Sequence, residues 1–306
     1  MKTWLKWIIR VPLIILGLFA GLLLIAAVAY LLLNHTNGSI VSSGERRYYL
    51  LYVPASYNPS RPTPLVISIH GFAEWPAHQA QMTHWNRLAE QYSFIVVYPS
   101  GTRFPKRWRT QLAPGTDAMP DVIFISELID KLAGKYNIDP ARIYANGLSN
   151  GAGMSALLAC ELPERIAAIG TVAGAYAFPW NKCPSSRPVP AIVFHGTADP
   201  IAPFQGGPSH DPNVPLPAIT TWVESLALRN GCDQMPVELP AHGEVRGIRY
   251  GPCTLNAEVI FYTITAGGHS WPGGEPLPKW LVGHTTQDID ATRVMWEFFQ
   301  QHPRQW

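Results

Sequence analysis

Arg142-Ile143-Tyr144-Ala145-Asn146-Gly147-Leu148-Ser149-Asn150-Gly151-Ala152-Gly153-Met154 joins a short β-branched and aromatic run to an Ala/Leu-rich segment of helical character. At the junction stands the pentapeptide Gly147-Leu148-Ser149-Asn150-Gly151, a G-x-S-x-G pattern. A chain turning sharply from strand to helix passes close to itself two residues before and two residues after the apex, so both places require very small side chains. The turn lifts the apical Ser149 hydroxyl above the sheet edge, and the helix that follows points its N-terminus at negative charge developing there. A capping serine in a Gly-rich turn is the plainer reading; the strand before and the helix after argue against it.

Outward from this turn, residues 65–69, 94–98 and 191–194 are short, nearly continuous apolar runs. That is the pattern of strands covered on both faces of a parallel sheet. Residues 46–54 and 258–264 read as further strands, and helical patterns occupy 83–92, 121–136, 152–162, 218–230 and 289–301. The alternation predicts an α/β fold with an open, mostly parallel sheet over residues 46–306. The 29 prolines cluster in the intervening loops and so punctuate the elements without breaking them.

A serine nucleophile needs a base and an orienting acid, and both stand on loops after predicted strands. Asp199 lies in His195-Gly196-Thr197-Ala198-Asp199-Pro200, and His269 in Gly267-Gly268-His269-Ser270-Trp271-Pro272-Gly273-Gly274. His269 would take the Ser149 proton and return it to the leaving group, while Asp199 would fix the imidazole tautomer. An oxyanion would be met by the backbone N–H of Asn150 and by a second donor in the loop opening His70-Gly71-Phe72, placed here at Phe72. Trp271, two residues from His269, is expected to form a wall of the acyl pocket. His70 and His195 read as structural histidines bonding loop backbone, and His84, His210, His242, His284 and His302 have no partner motif. Asp288 and Asp290 read as the cap region of the last helix. Arg103, Lys106, Arg107 and Arg109 read as a solvated loop.

The chain has 306 residues, 23 basic against 21 acidic side chains, 47% apolar residues and 14% charged ones. A net charge of +2 leaves no electrostatic footprint for nucleic acid. The positive excess is local: residues 1–33 carry Lys2, Lys6 and Arg10 and no acid, while residues 34–306 carry 20 basic and 21 acidic side chains. Residues 11–33 are apolar over a length sufficient to cross a bilayer, and Trp4, Trp7 and Tyr30 are placed as interfacial anchors. Residues 1–33 are therefore expected to be an uncleaved membrane anchor with the body exported, residues 34–45 forming a tether. Cleavage after Ala29, at Ala27-Val28-Ala29, is the alternative and would give a secreted body. Four cysteines, Cys160, Cys183, Cys232 and Cys253, suit an oxidising compartment and allow three pairings. None has zinc-ligand spacing, and no metal is expected.

The stretch 136–151, His195-Gly196-Thr197-Ala198-Asp199-Pro200, Asn230-Gly231-Cys232 and Gly267-Gly268-His269-Ser270-Trp271-Pro272-Gly273 together resemble the polyhydroxybutyrate depolymerase and feruloyl/acetyl xylan esterase group of secreted α/β-hydrolases. The likeness covers about residues 46–302. It implies an α/β-hydrolase fold, a serine esterase with Ser149, Asp199 and His269 as triad, no metal or organic cofactor, and the pairs Cys160–Cys183 and Cys232–Cys253. Two departures stand out: Phe72 replaces the small residue or cysteine that often follows His-Gly, and no separate polymer-binding module is present. The expected function is hydrolysis of hydroxyalkanoate, feruloyl or acetyl esters, with acyl transfer by the same triad, or a silent hydrolase-like binding protein, as alternatives. Oligomeric state is not legible.

Overall fold

The computed structural model describes residues 2–110, 118–176, 179–185, 187–208 and 215–305, and of residues 2–10 and 33 the backbone alone. The chain separates into two units, Met1–His35 and Thr36–Trp306. The first is one helix, α1 (Lys2–Leu33). Its stretch Val11–Leu32 is long and apolar enough to cross a membrane, which fits a signal sequence and an anchor alike.

The second unit runs β1 (Gly38–Ser42), β2 (Glu45–Tyr52), β3 (Thr63–Ile69), α2 (Pro76–Thr83), α3 (Trp85–Tyr92), β4 (Ile95–Pro99), α4 (Met119–Ala133), β5 (Ile138–Leu148), α5 (Asn150–Glu161), β6 (Ala168–Val172), β7 (Ala191–Gly196), α6 (Ile219–Arg229), β8 (Val237–His242), β9 (Val245–Tyr250), β10 (Val259–Ile264), α7 (Lys279–Val282) and α8 (Ala291–Gln301). All ten strands form one sheet in the order β1-β2-β4-β3-β5-β6-β7-β10-β9-β8. The six central strands, β4 to β10 in that order, are parallel, and an antiparallel pair closes each edge. The sheet is thus parallel through its centre, as expected, with antiparallel strands added at both edges.

The apolar runs have the predicted cause. In β3, Leu65, Ile67 and Ile69 enter one core with α4, α5 and α6, while Val66 enters a second core with α3 and α8. With both faces covered, neither can be polar. This is the α/β-hydrolase architecture.

Other differences are local. Residues 38–42, read as tether, pair with β2 as an edge strand. The helix expected over 83–92 is α3; an unexpected helix, α2, precedes it, and His84 in the left-handed conformation (φ 58°) breaks the hydrogen-bond ladder between the two. Of the four basic residues Arg103, Lys106, Arg107 and Arg109 only Arg103 is exposed; Lys106 donates to Ser100 Oγ at 3.0 Å. His210 lies outside the described residues. Disulfides join Cys160 to Cys183 and Cys232 to Cys253. The first ties α5 to the loop before β7, and the second ties the end of α6 to the approach to β10. In the loop-entropy account each contributes about 3 kcal/mol.

Candidate active site

Three chain segments leave the sheet at the same edge, because β5, β7 and β10 run in one direction. Ser149 follows β5, Asp199 follows β7 and His269 follows β10. Parallel strands thereby gather residues separated by 120 positions of sequence.

Ser149 sits at φ 55°, ψ −117°, a conformation side chains rarely adopt. The turn is held from both sides: Ser149 N–H donates to Val172 O at 2.9 Å, and Ser149 O accepts from Gly153 N–H at 3.0 Å. A Cβ on Gly147 would lie 2.7 Å from Ile69 O, and one on Gly151 would lie 2.6 Å from His70 O. The glycines two residues either side of the serine are therefore required by the backbone of β3. Ser149 itself is half-buried, so its hydroxyl borders solvent.

Asp199 is 5% exposed and fully engaged. Its Oδ1 accepts from the backbone N–H of Ile201 and Ala202, each at 2.8 Å, and its Oδ2 lies 2.8 Å from His269 Nδ1. A carboxylate accepts, so Nδ1 carries the imidazole proton and Nε2 is left as the basic nitrogen. The His269 main chain is fixed by donation to Val282 O at 2.6 Å. Gly268 permits this approach: a Cβ there would collide with Val282 O and come within 2.7 Å of Gly283 Cα.

Of the oxyanion candidates, Asn150 directly follows Ser149 and Phe72 lies on another segment. Asn150 begins α5, and its side chain clamps the strand-like stretch opposite, accepting from Trp108 N–H at 2.7 Å and donating to Trp108 O at 3.1 Å. In the loop after β3, Gly71 N–H donates to Glu74 Oε2 at 2.9 Å and Ala73 N–H donates to Lys106 O at 2.8 Å. These bonds pin the peptide of Phe72, which is 47% exposed.

Residues 47–202 match the protein-family model described as Esterase PHB depolymerase. The chain belongs to that family. It is 34% identical over 53% of its length to the bifunctional acetylxylan esterase/xylanase XynS20E of Neocallimastix patriciarum, of which it spans 23%. To feruloyl esterase C of Emericella nidulans it is 28% identical, covering 86% of this chain and 87% of that one. Acetyl xylan esterase from Aspergillus awamori superposes with a TM-score of 0.59 at 17% identity, over 86% of this chain and 98% of that structure. Membership of the PHB depolymerase family, together with the fold, makes this an esterase-type α/β-hydrolase acting on carboxylic esters.

Two histidines of this family member behave as the sequence suggests and one does more. His70 accepts from Gly101 N–H through Nε2 at 2.9 Å and donates through Nδ1 to Gly71 O at 2.7 Å. Complete burial pushes its pKa down to about 4, so it is a neutral brace under the Phe72 loop. His195 is likewise lowered to about 4 by burial, which outweighs the nearby Asp199 carboxylate. Its Nε2 lies 2.8 Å from Ala202 O and 3.4 Å from Asp199 Oδ2. The residue preceding the last glycine of β7 therefore lies against the acid that holds His269, a contact invisible in a His-Gly dipeptide.

Trp271 is not an exposed pocket wall. It is 1% exposed, packs in the core with Met82 and Ala291, and donates from its indole N–H to Thr292 Oγ1 at 2.9 Å. Its place behind the His269 loop makes it a packing anchor. Asp290 caps α8 as expected, accepting from Arg293 N–H at 3.0 Å, whereas Asp288 accepts from Glu244 N–H at 2.9 Å in a neighbouring turn. His84, His284 and His302 pair with Glu275, Glu244 and Glu258 respectively, away from Asp199.

Proposed function

We propose that the second unit hydrolyses carboxylic esters through an acyl-enzyme on Ser149. His269 Nε2 removes the hydroxyl proton as Ser149 Oγ attacks the ester carbonyl, then delivers it to the departing alcohol. Asp199 holds the imidazole in the required tautomer and stabilises the imidazolium. The N–H groups of Asn150 and Phe72 meet the oxyanion. Water then repeats the sequence on the acyl-enzyme, releasing the acid. The observation that carries this reading is the buried Asp199–His269 bond of 2.8 Å at the sheet edge where the strained Ser149 turn also emerges.

The chemistry of relatives suggests hydroxyalkanoate, feruloyl or acetyl esters as substrates. Residues 1–33 act as an anchor that leaves the body outside the cytoplasm, an assignment supported by the apolar stretch Val11–Leu32, the basic residues before it and the two disulfides.

The full chain in detergent is expected to hydrolyse p-nitrophenyl acetate, and Ser149→Ala to lower kcat by about 10⁴-fold or more, as knockouts of such nucleophiles do. Turnover retained in that variant would remove Ser149 as nucleophile. Product analysis with and without an added sugar alcohol separates hydrolysis from acyl transfer, and comparison of acetyl, hydroxybutyrate and feruloyl esters ranks the acyl groups.

A further inference from the structure

The oxyanion donor placed at Phe72 belongs to a peptide group whose other end is held. His70 stands just after β3 and is wholly buried. Its Nε2 accepts from Gly101 N–H at 2.9 Å, so in the neutral ring Nδ1 carries the proton and donates to Gly71 O at 2.7 Å. Burial lowers the His70 pKa to about 4, which keeps the ring in that neutral form near pH 7. The carbonyl so held is that of the Gly71–Phe72 peptide. In a planar trans peptide the C=O and the N–H point in opposite directions, so fixing one fixes the other.

The order of the sheet sets which way that N–H faces. β3 lies between β4 and β5. Gly101 follows β4 and the His70 ring reaches it, so the ring and the Gly71 carbonyl lie on the β4 side. The opposite side is that of β5, from which Ser149 emerges. Close approaches agree: a Cβ on Gly71 would lie 3.5 Å from Leu148 O, and one on Gly151 would lie 2.6 Å from His70 O. Trp108 holds the same segment from behind, its indole N–H donating to His70 O at 3.0 Å while the Asn150 side chain clamps its main chain. The residue that carries one oxyanion donor is thereby tied to the loop that carries the other.

We propose that His70 is a positioning residue of the oxyanion hole, its Nδ1–H holding the Gly71 carbonyl so that the Phe72 N–H stays turned toward Ser149. The peptides on either side are pinned by the bonds from Gly71 N–H to Glu74 and from Ala73 N–H to Lys106 O, so a flip is confined to the one between them. Glycine at its start offers little steric resistance to that flip. With the peptide turned, the hole keeps the Asn150 N–H and presents a carbonyl where its second donor belongs. Such a change is felt in the transition state and leaves ground-state binding alone. This assignment rests on the reading of Ser149 as nucleophile and of Phe72 as oxyanion donor.

Two conservative variants separate the two bonds of the ring. Asparagine places its amide nitrogen where Nδ1 stood, keeping the donor to Gly71 O and losing the acceptor for Gly101 N–H. Glutamine places its amide oxygen where Nε2 stood and does the reverse. Hydrolysis of p-nitrophenyl acetate and melting temperature are measured on the full chain in detergent. His70→Gln is expected to lower kcat by about 10²-fold with KM within about twofold of the parent, the pattern of a lost oxyanion donor. His70→Asn, which strands the buried Gly101 N–H, is expected to melt below His70→Gln and yet keep kcat within about fivefold of the parent. Activity and stability then rank the two variants in opposite orders, which a purely structural role for His70 does not produce. Equal kcat in the two, or a kcat order that follows the melting temperatures, would overturn the proposal. Should His70→Asn fail to fold, His70→Gln decides: unchanged kcat, or a loss confined to KM, overturns it. A parent chain without turnover is a different result, since it removes the esterase reading and this assignment together.

Discussion

Two buried carboxylates in this molecule have nearly the same immediate geometry and opposite uses. Asp199 accepts two backbone N–H bonds through one oxygen and faces His269 at 2.8 Å with the other. Asp121, at the start of α4, accepts Arg109 N–H at 2.8 Å through one oxygen and faces Arg47 at 2.8 Å with the other. What differs is the partner. Arg47 remains charged at every accessible pH, is 2% exposed and lies under Phe124, its guanidinium carbon 4.1 Å from the ring centroid. His269 is an imidazole whose second ring nitrogen lies on the side away from the acid, free to take a proton from another group. A buried acid therefore locks structure when its partner can only donate and prepares chemistry when its partner has a second nitrogen that can accept.

The sharpest way to break this comparison is to neutralise each acid in turn. Asp199→Asn is expected to leave the melting temperature nearly unchanged and to lower kcat by about 10⁴-fold, since the amide donates to Nδ1 and turns the proton onto the nitrogen that must act as base. Asp121→Asn should do the reverse, costing about 3–5 kcal/mol of stability because the buried Arg47 charge is left without its counterion, with kcat retained in the folded fraction. Chemical denaturation and ester turnover on both variants read the two effects. Equal loss of activity in both would mean that Asp121 also serves the Ser149 edge.

Acid sharpens the contrast further. His195 and His70, both in the Ser149 region, have folded pKa values lowered by burial to about 4, below the ordinary 6.5. The folded protein thus binds fewer protons than the unfolded chain between those values. The corresponding stability is complete above pH 6.5 and is lost as pH falls from there through 4, by about 3 kcal/mol for each histidine. Melting temperatures taken from pH 7 to pH 4 should fall along that window, and His70→Gln, whose amide oxygen can accept Gly101 N–H, should flatten part of the slope. A flat profile would show that the two imidazoles are not held neutral by burial.

What was legible in the sequence follows the same division between local and distant causes. The Ser149 turn was readable because its G-x-S-x-G pattern lies within five residues, although much of the steric demand on its glycines comes from the distant Ile69-His70 backbone; Asp199 and His269 were readable because strands buried on both faces announce themselves and the chemistry sits on the loops after them. Of the antiparallel edge strands, β2 was readable and β1, β8 and β9 were not. β8 is exposed along most of its length and contains Pro240, and β9 alternates with charged residues, so neither leaves a continuous apolar run. β6, Ala-Ile-Gly-Thr-Val, is strand by virtue of its neighbours, since its Gly170 leaves room for Met295. Asp121 opens the helical pattern read over 121–136; its partner Arg47 lies 74 positions earlier, beyond any local pattern. His195 is structural, as its place before a glycine suggests, and its contact with Asp199 arises from the fold of the loop after β7, which no local pattern shows.

Trp271 supplies the smallest and most diagnostic test, since sequence proximity to His269 placed it in the acyl pocket and packing placed it in the core. Its indole N–H reaches Thr292 Oγ1, which donates in turn to Thr83 O, so the side chain links the His269 loop to α8 and the end of α2. Trp271→Phe keeps most of the apolar volume and removes one buried hydrogen bond. A packing anchor of this kind predicts a loss of about 1 kcal/mol in stability and a modest, uniform drop in turnover, identical for acetyl and butyryl esters, as the histidine loop loosens. A pocket wall predicts a change in the ratio of those two rates with stability untouched. Measuring both esters on one variant therefore separates a residue that acts through His269 from one that touches substrate, the same distinction that divides Asp121 from Asp199.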